Sequence, residues 1–75
     1  MKYTPKDVGS LVRKTRKGLG VTQKTLALTS GTGLRFIIEL EKGKETAEIG
    51  KVLTILQTLG IQLTLKPPPA ATKQG

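Results

Sequence analysis

The chain contains no cysteine and no histidine. Disulfides, thiolate nucleophiles, imidazole bases and the commonest zinc ligands are thereby excluded together. Acids are scarce too: five carboxylates in 75 residues, none paired at a spacing suited to acid–base work on a substrate. An enzyme is not expected, and neither is a bound metal or cofactor. No uninterrupted apolar run exceeds the length of Phe36-Ile37-Ile38, far short of a membrane span. The N-terminus, MKYTPKDVG, lacks the hydrophobic region of a signal peptide, so a cytoplasmic protein is expected. One Phe and one Tyr do not supply the bulky anchors of a membrane-surface helix. A chain this short makes one domain with a marginal core, which calls for added stabilisation such as oligomerisation.

What the chain has is positive charge, +8 formally, unevenly placed. Residues 1–44 hold ten Lys/Arg against three acids, a net of +7; residues 45–75 hold three against two, a net of +1. Basic charge concentrated in one half favours a polyanion such as nucleic acid; the alternative is a solvated basic surface.

Helical signals run through most of the sequence. Thr4-Pro5-Lys6-Asp7 makes a helix start, with Thr4 as cap, proline in the first position and Asp7 three residues after the cap. Val8, Leu11, Val12 and Leu19 recur at helical spacing up to Gly18 and Gly20, with Arg13, Lys14, Arg16 and Lys17 between them. A second helix is expected from the cap Thr22 to about Thr29, with Leu26 and Ala27 inward. Ser30-Gly31-Thr32 forms a turn, and Thr32 caps a third helix to about Lys42 with Ile37 and Leu40 in the core. A fourth helix begins at the cap Thr46 and carries an apolar stripe of Ile49, Val52, Leu53, Leu56 and Leu59, with Gly50 allowing a close backbone approach.

After Gly60 the period changes from helical to alternating: Ile61-Gln62-Leu63-Thr64-Leu65-Lys66 is the pattern of a half-buried strand. Pro67-Pro68-Pro69 ends it, and residues 67–75 are expected to be a disordered tail. A lone strand leaves backbone groups unsatisfied, so residues 61–66, through Ile61, Leu63 and Leu65, are expected to pair with a second copy. The alternative is an arm lying on the helices.

Two short helices joined by a glycine turn, Thr22 to Gly43, form a helix-turn-helix, whose second helix fits the DNA major groove while the first crosses the phosphates. With Ile37 and Leu40 inward, the outward face of helix three contains Gly33, Leu34, Arg35 and Ile38, with Glu39 beside them. Arg35 is suited to bidentate recognition of guanine, Leu34 and Ile38 to thymine methyls, and Gly33 to close approach. Ile38 has a place in the core as its alternative. Thr22 and Gln23 begin helix two, where free N–H groups favour a phosphate, and Lys42 and Lys44 are placed to hold another. Gly31-Thr32-Gly33 is no phosphate loop, since no Gly-Lys-Ser/Thr follows.

Thr22-Gln23, Leu26-Ala27, Gly31, Ile37 and Glu41 with Gly43 resemble the motif of phage-repressor-type (XRE family) domains. LVRKTRKGLGVTQKTLA, GLRFIIELEKGKETA and KVLTILQTLGIQLTL together resemble HipB-type antitoxins over residues 8–66. The resemblance implies a mainly α, four-to-five-helix domain over residues 1–66, with the C-terminal strand pairing across a homodimer. It implies that Arg16 and Glu41 form a structural ion pair and that Gln23 orients helix two on the DNA backbone. Ser30 and Thr32 depart from the pattern, which more often has branched aliphatics there and suggests a looser turn here. The implied partners are a palindromic double-stranded operator, a second copy, and a HipA-like serine/threonine kinase toxin, alone or with further subunits. The implied setting is the bacterial cytoplasm, at the nucleoid. A stand-alone repressor and a protein-interaction adaptor are the other readings.

Overall fold

A computed structural model describes residues 3–70 and shows four helices among them: α1 (Pro5–Gly18), α2 (Gln23–Ser30), α3 (Leu34–Glu41) and α4 (Ile49–Leu59). None is long and apolar enough to cross a membrane. The first helix starts where its capping box dictates. Asp7 N–H donates to Thr4 Oγ1 and Thr4 N–H returns a bond to Asp7 Oδ2 at 2.8 Å. Thr22 caps α2 through Thr25 N–H at 3.0 Å. The turn after it is set by Gly31, whose φ of 73° lies in the left-handed region that L side chains avoid.

Two expected caps are displaced. Gly33, not Thr32, caps α3, because Thr32 is drawn into the turn. Ser30 Oγ donates to Leu26 O at 2.7 Å, so the 2.9 Å contact between the two hydroxyls has Thr32 as donor. These bonds tie the turn at the two positions expected to loosen it. Glu48, not Thr46, precedes α4 and makes no side-chain cap bond, and Ala47 between them packs against the core.

The core is one cluster formed by all four helices: Val12 from α1, Leu26 and Ala27 from α2, Ile37 and Leu40 from α3, and Val52, Ile55, Leu56 and Leu59 from α4. The expected stripe on α4 is turned. Ile55 is fully buried, whereas Ile49 and Leu53 are exposed, as are Leu11 and Leu19 of the first helical segment. The last turn of α4 ends at Gly60, and Ile61 N–H donates back to Leu56 O at 2.9 Å.

Close approach occurs at Gly9 rather than at Gly50. A Cβ at Gly9 would overlap the Leu40 carbonyl oxygen and stand 3.0 Å from that of Glu41. Gly50 and Gly31 have no such neighbour: Gly50 meets only a Glu48 side-chain oxygen at 3.7 Å, and Gly31 meets nothing within 4 Å. Gly9 therefore lets α1 cross the C-terminal end of α3.

Residues 61–66 form neither helix nor strand among the described residues, which are therefore all α in their regular structure. Ile61 leans on the core, while Leu63 and Leu65 are 55% and 82% exposed. The segment borders a groove floored by Val8, Leu11 and Leu56. Residues 67–70 are exposed, with Pro69-Ala70 in a single 3₁₀ turn, and the remainder of the expected tail lies outside the described residues.

Candidate nucleic-acid interface

The α2–turn–α3 unit packs through Leu26 and Ala27 on one side and Ile37 and Leu40 on the other, all buried. That burial fixes which face of α3 points away. Arg35 projects furthest, its side chain 91% exposed. Leu34 is exposed beside it, and Gly33 is exposed at the cap. Ile38 is half-buried, so of the expected outward face it is the member closest to the body of the protein.

An ion-pair network fixes the orientation of this unit from below. Arg16 is buried although charged. Its Nε donates to Glu41 Oε2 at 2.7 Å, Nη2 to Oε1 at 3.0 Å, and Nη1 to Val21 O at 2.9 Å. A buried cation needs such saturation, since an unpaired charge in the interior is costly. The Glu41 hydrogen bond holds the guanidinium above its ordinary value, burial opposing it and the Glu41 charge adding to it.

Gln23 joins this network: its Nε2 donates to Glu41 Oε1 at 3.1 Å. The side chain is half-buried and braces the start of α2, rather than standing free at the surface. The first turn of α2 keeps other donors. Thr22 takes the Thr25 N–H with its hydroxyl and the Leu26 N–H with its carbonyl. The N–H groups of Gln23 and Lys24 are the ones a helix start leaves open.

The expected phosphate lysines behave differently from each other. Lys44 Nζ bonds Glu39 Oε1 at 2.9 Å, and Arg35 Nε lies 3.6 Å from Glu39 Oε2. The Lys44 hydrogen bond holds the Glu39 carboxyl below its ordinary value, with the charges of Lys44, Arg35 and Lys42 acting the same way against desolvation. Lys42 is exposed and borders a groove with Lys6, Asp7, Ser10 and Arg13 of α1 and with Glu41, three cations against two carboxylates, of which Glu41 is held by Arg16. Lys6 and Arg13 are seven residues apart, about two turns of α1, which puts them on the same side of that helix.

A helix-turn-helix domain family model matches residues 9–65. The uncharacterized HTH-type transcriptional regulator y4mF of Sinorhizobium fredii is 54% identical over 65 residues, which cover 87% of this chain and 86% of that protein. The chain belongs to the XRE-type helix-turn-helix family.

Members of this helix-turn-helix family are DNA-binding transcriptional regulators, not enzymes. The fold likewise matches HipB. A chain of the HipA–HipB–O2–O3 complex superposes with a TM-score of 0.79 at 25% identity, over 89% of this chain and 94% of that one. The HipB–O4 20mer complex gives the same TM-score, identity and coverage. In the helix-turn-helix α3 stands second, and Arg35 is the guanidinium on its exposed face.

Proposed function

We propose that the protein is a dimeric, sequence-specific antitoxin that represses its own operon at palindromic operators and binds a HipA-like serine/threonine kinase. The observation that carries this reading is the likeness to HipB, which extends over 89% of the chain and takes in more than the helix-turn-helix. HipB itself has been solved with O4 and with HipA, O2 and O3.

In this reading Arg35 reads guanine, with Gly33 and Leu34 against the groove and Ile38 at its edge. Lys42 and the open N–H groups at Gln23 and Lys24 take phosphates, so that Thr22 and Gln23 act by shaping the start of α2. Two copies join through Ile61, Leu63 and Leu65; the exposed Leu63 and Leu65 support a partner strand, while Ile61 leans on its own core. The dimer sets two recognition helices about one DNA turn apart, ~34 Å, which matches a palindrome. Catalysis belongs to the kinase, and this chain supplies DNA binding and the docking surface.

The test has two arms. Fluorescence anisotropy with DNA from upstream of its own gene should show tight, salt-sensitive binding that a scrambled duplex does not match. Affinity purification from the native host should recover a kinase-like protein in stoichiometric amount. A stand-alone repressor is favoured by the similarity to y4mF, which is named a transcriptional regulator. Operator binding without a copurifying kinase selects that reading, and loss of all salt-dependent DNA binding sinks both.

A further inference from the structure

The carboxylate of Glu39 stands between two cations, with a different oxygen toward each. Oε1 accepts from Lys44 Nζ at 2.9 Å, and Oε2 faces Arg35 Nε at 3.6 Å. A carboxylate on the face of a recognition helix repels phosphates, so its presence there calls for a reason. The geometry points to one: Glu39 is a positioning residue that directs the Arg35 fork into the groove, with Lys44 as its counter-charge. The inference rests on Arg35 being the base reader.

An arginine has two ways to bond a planar acceptor pair, side-on through Nε and one Nη, or end-on through both Nη groups. Arg16 shows the first: Nε and Nη2 hold Glu41 while Nη1 takes Val21 O, so every nitrogen of the fork is engaged. In Arg35 the ion-pair contact is Nε to Glu39 Oε2 at 3.6 Å, and among the described residues no hydrogen bond engages either Nη, which leaves the end-on pair open for guanine O6 and N7. The 3.6 Å contact is a loose ion pair and not a hydrogen bond, so Glu39 biases the direction of a side chain 91% exposed without fixing it. Lys44 balances the carboxylate, which lowers the repulsion between α3 and the DNA backbone. The arrangement thus exchanges non-specific affinity for discrimination.

The probe is a duplex selected by the wild-type protein from a randomised pool, together with versions in which each guanine is replaced by adenine and a scrambled duplex. Glu39→Ala should shrink the penalty at the guanine that Arg35→Ala identifies by roughly 5-fold, the low end of what an arginine–guanine pair supplies. The same variant should bind the scrambled duplex severalfold more tightly. In the Arg35→Ala background, Glu39→Ala should change no guanine penalty further. An unchanged penalty in Glu39→Ala overturns the inference, as does an equal loss in the Arg35→Ala background, which would make Glu39 a direct base contact. If Arg35→Ala spares every penalty, the base reader is elsewhere and the relay falls with it. If the wild type selects no sequence, the DNA reading itself has failed.

Discussion

Arg16 grips Glu41 through two parallel bonds, of 2.7 and 3.0 Å, and thereby locks the end of α1 to the end of α3. Both side chains are nearly inaccessible, at 9% and 4%. Removing one partner leaves the other buried and unpaired, a change that costs about 3–5 kcal/mol. Arg16→Met should therefore lower the melting temperature by more than ~12 °C in a domain of this size. Calorimetry of the double variant Arg16→Met/Glu41→Leu should recover much of that loss, because neither charge is then stranded. Equal melting of wild type and Arg16→Met would show that the pair contributes nothing.

The same pair predicts a pH response. Its folded state holds Arg16 above the ordinary arginine value. A raised basic group contributes fully below its unfolded value and loses that contribution only as pH rises through the folded one. For arginine both lie far above the physiological range. Thermal melts from neutral to moderately alkaline pH should show no weakening traceable to Arg16. Glu39 has the opposite sign: its depressed folded value makes its contribution present above the ordinary carboxylate range and lost as pH falls through that range. Acid titration followed by the Glu39 side-chain carbon resonance should place its midpoint below that of a free glutamate.

Gly9 occupies a crossing with no room for a methyl group. Its Cβ would overlap Leu40 O, and backbone cannot move aside as a flexible side chain does. Gly9→Ala gains helix propensity, under ~1 kcal/mol, but forces α1 off α3, for which overpacking costs of about 1–3 kcal/mol are usual. A net loss of stability is expected in denaturant titration. A more stable Gly9→Ala would mean that the helices do not cross there.

The helix-turn-helix was legible because its parts are local. Caps at Thr4 and Thr22, and a left-handed glycine at Gly31, need no tertiary knowledge. The orientation of α4 was not, because apolar residues at 49, 52, 53, 55, 56 and 59 cover more than one face, and spacing alone cannot say which face meets this chain's core. Ile55 goes inside, while Ile49 and Leu53 stay out. Gly9 was visible in principle, since Gly9, Val12 and Arg16 form one buried stripe on α1, but a glycine registers as an apolar gap. The exposure of Arg35 followed from the face opposite Ile37 and Leu40, whereas the bonds of Gln23 to Glu41 and of Lys44 to Glu39, two residues expected to meet phosphates, did not follow from the pattern. Such pairings depend on which helix ends meet, which periodicity does not encode.

Arg35 and Lys42 should separate in their effects on DNA binding. Arg35→Ala should relax sequence preference by about 1–3 kcal/mol while leaving the fold intact, its side chain being solvent-exposed. Lys42→Ala should weaken binding to all duplexes alike and reduce the salt slope by about 1. Binding isotherms over a salt series distinguish the two. Unchanged discrimination in Arg35→Ala would remove it as the base reader.

The extended segment carries the last prediction. Leu63 and Leu65 are exposed, and residues 61–66 find no strand partner among the described residues. Leu63→Pro removes an N–H that a cross-dimer ladder would use and leaves the four-helix core untouched. The variant should keep its helical circular dichroism and sediment as a monomer, whereas the wild type sediments as a dimer. Its operator affinity should fall steeply, since two half-sites would then bind independently rather than through one linked pair. Leu65→Asp should act in the same direction by placing a charge where the partner's apolar row would lie. A Leu63→Pro protein that remains dimeric would show that the copies meet through another surface, or that residues 61–66 serve as an arm on their own helices.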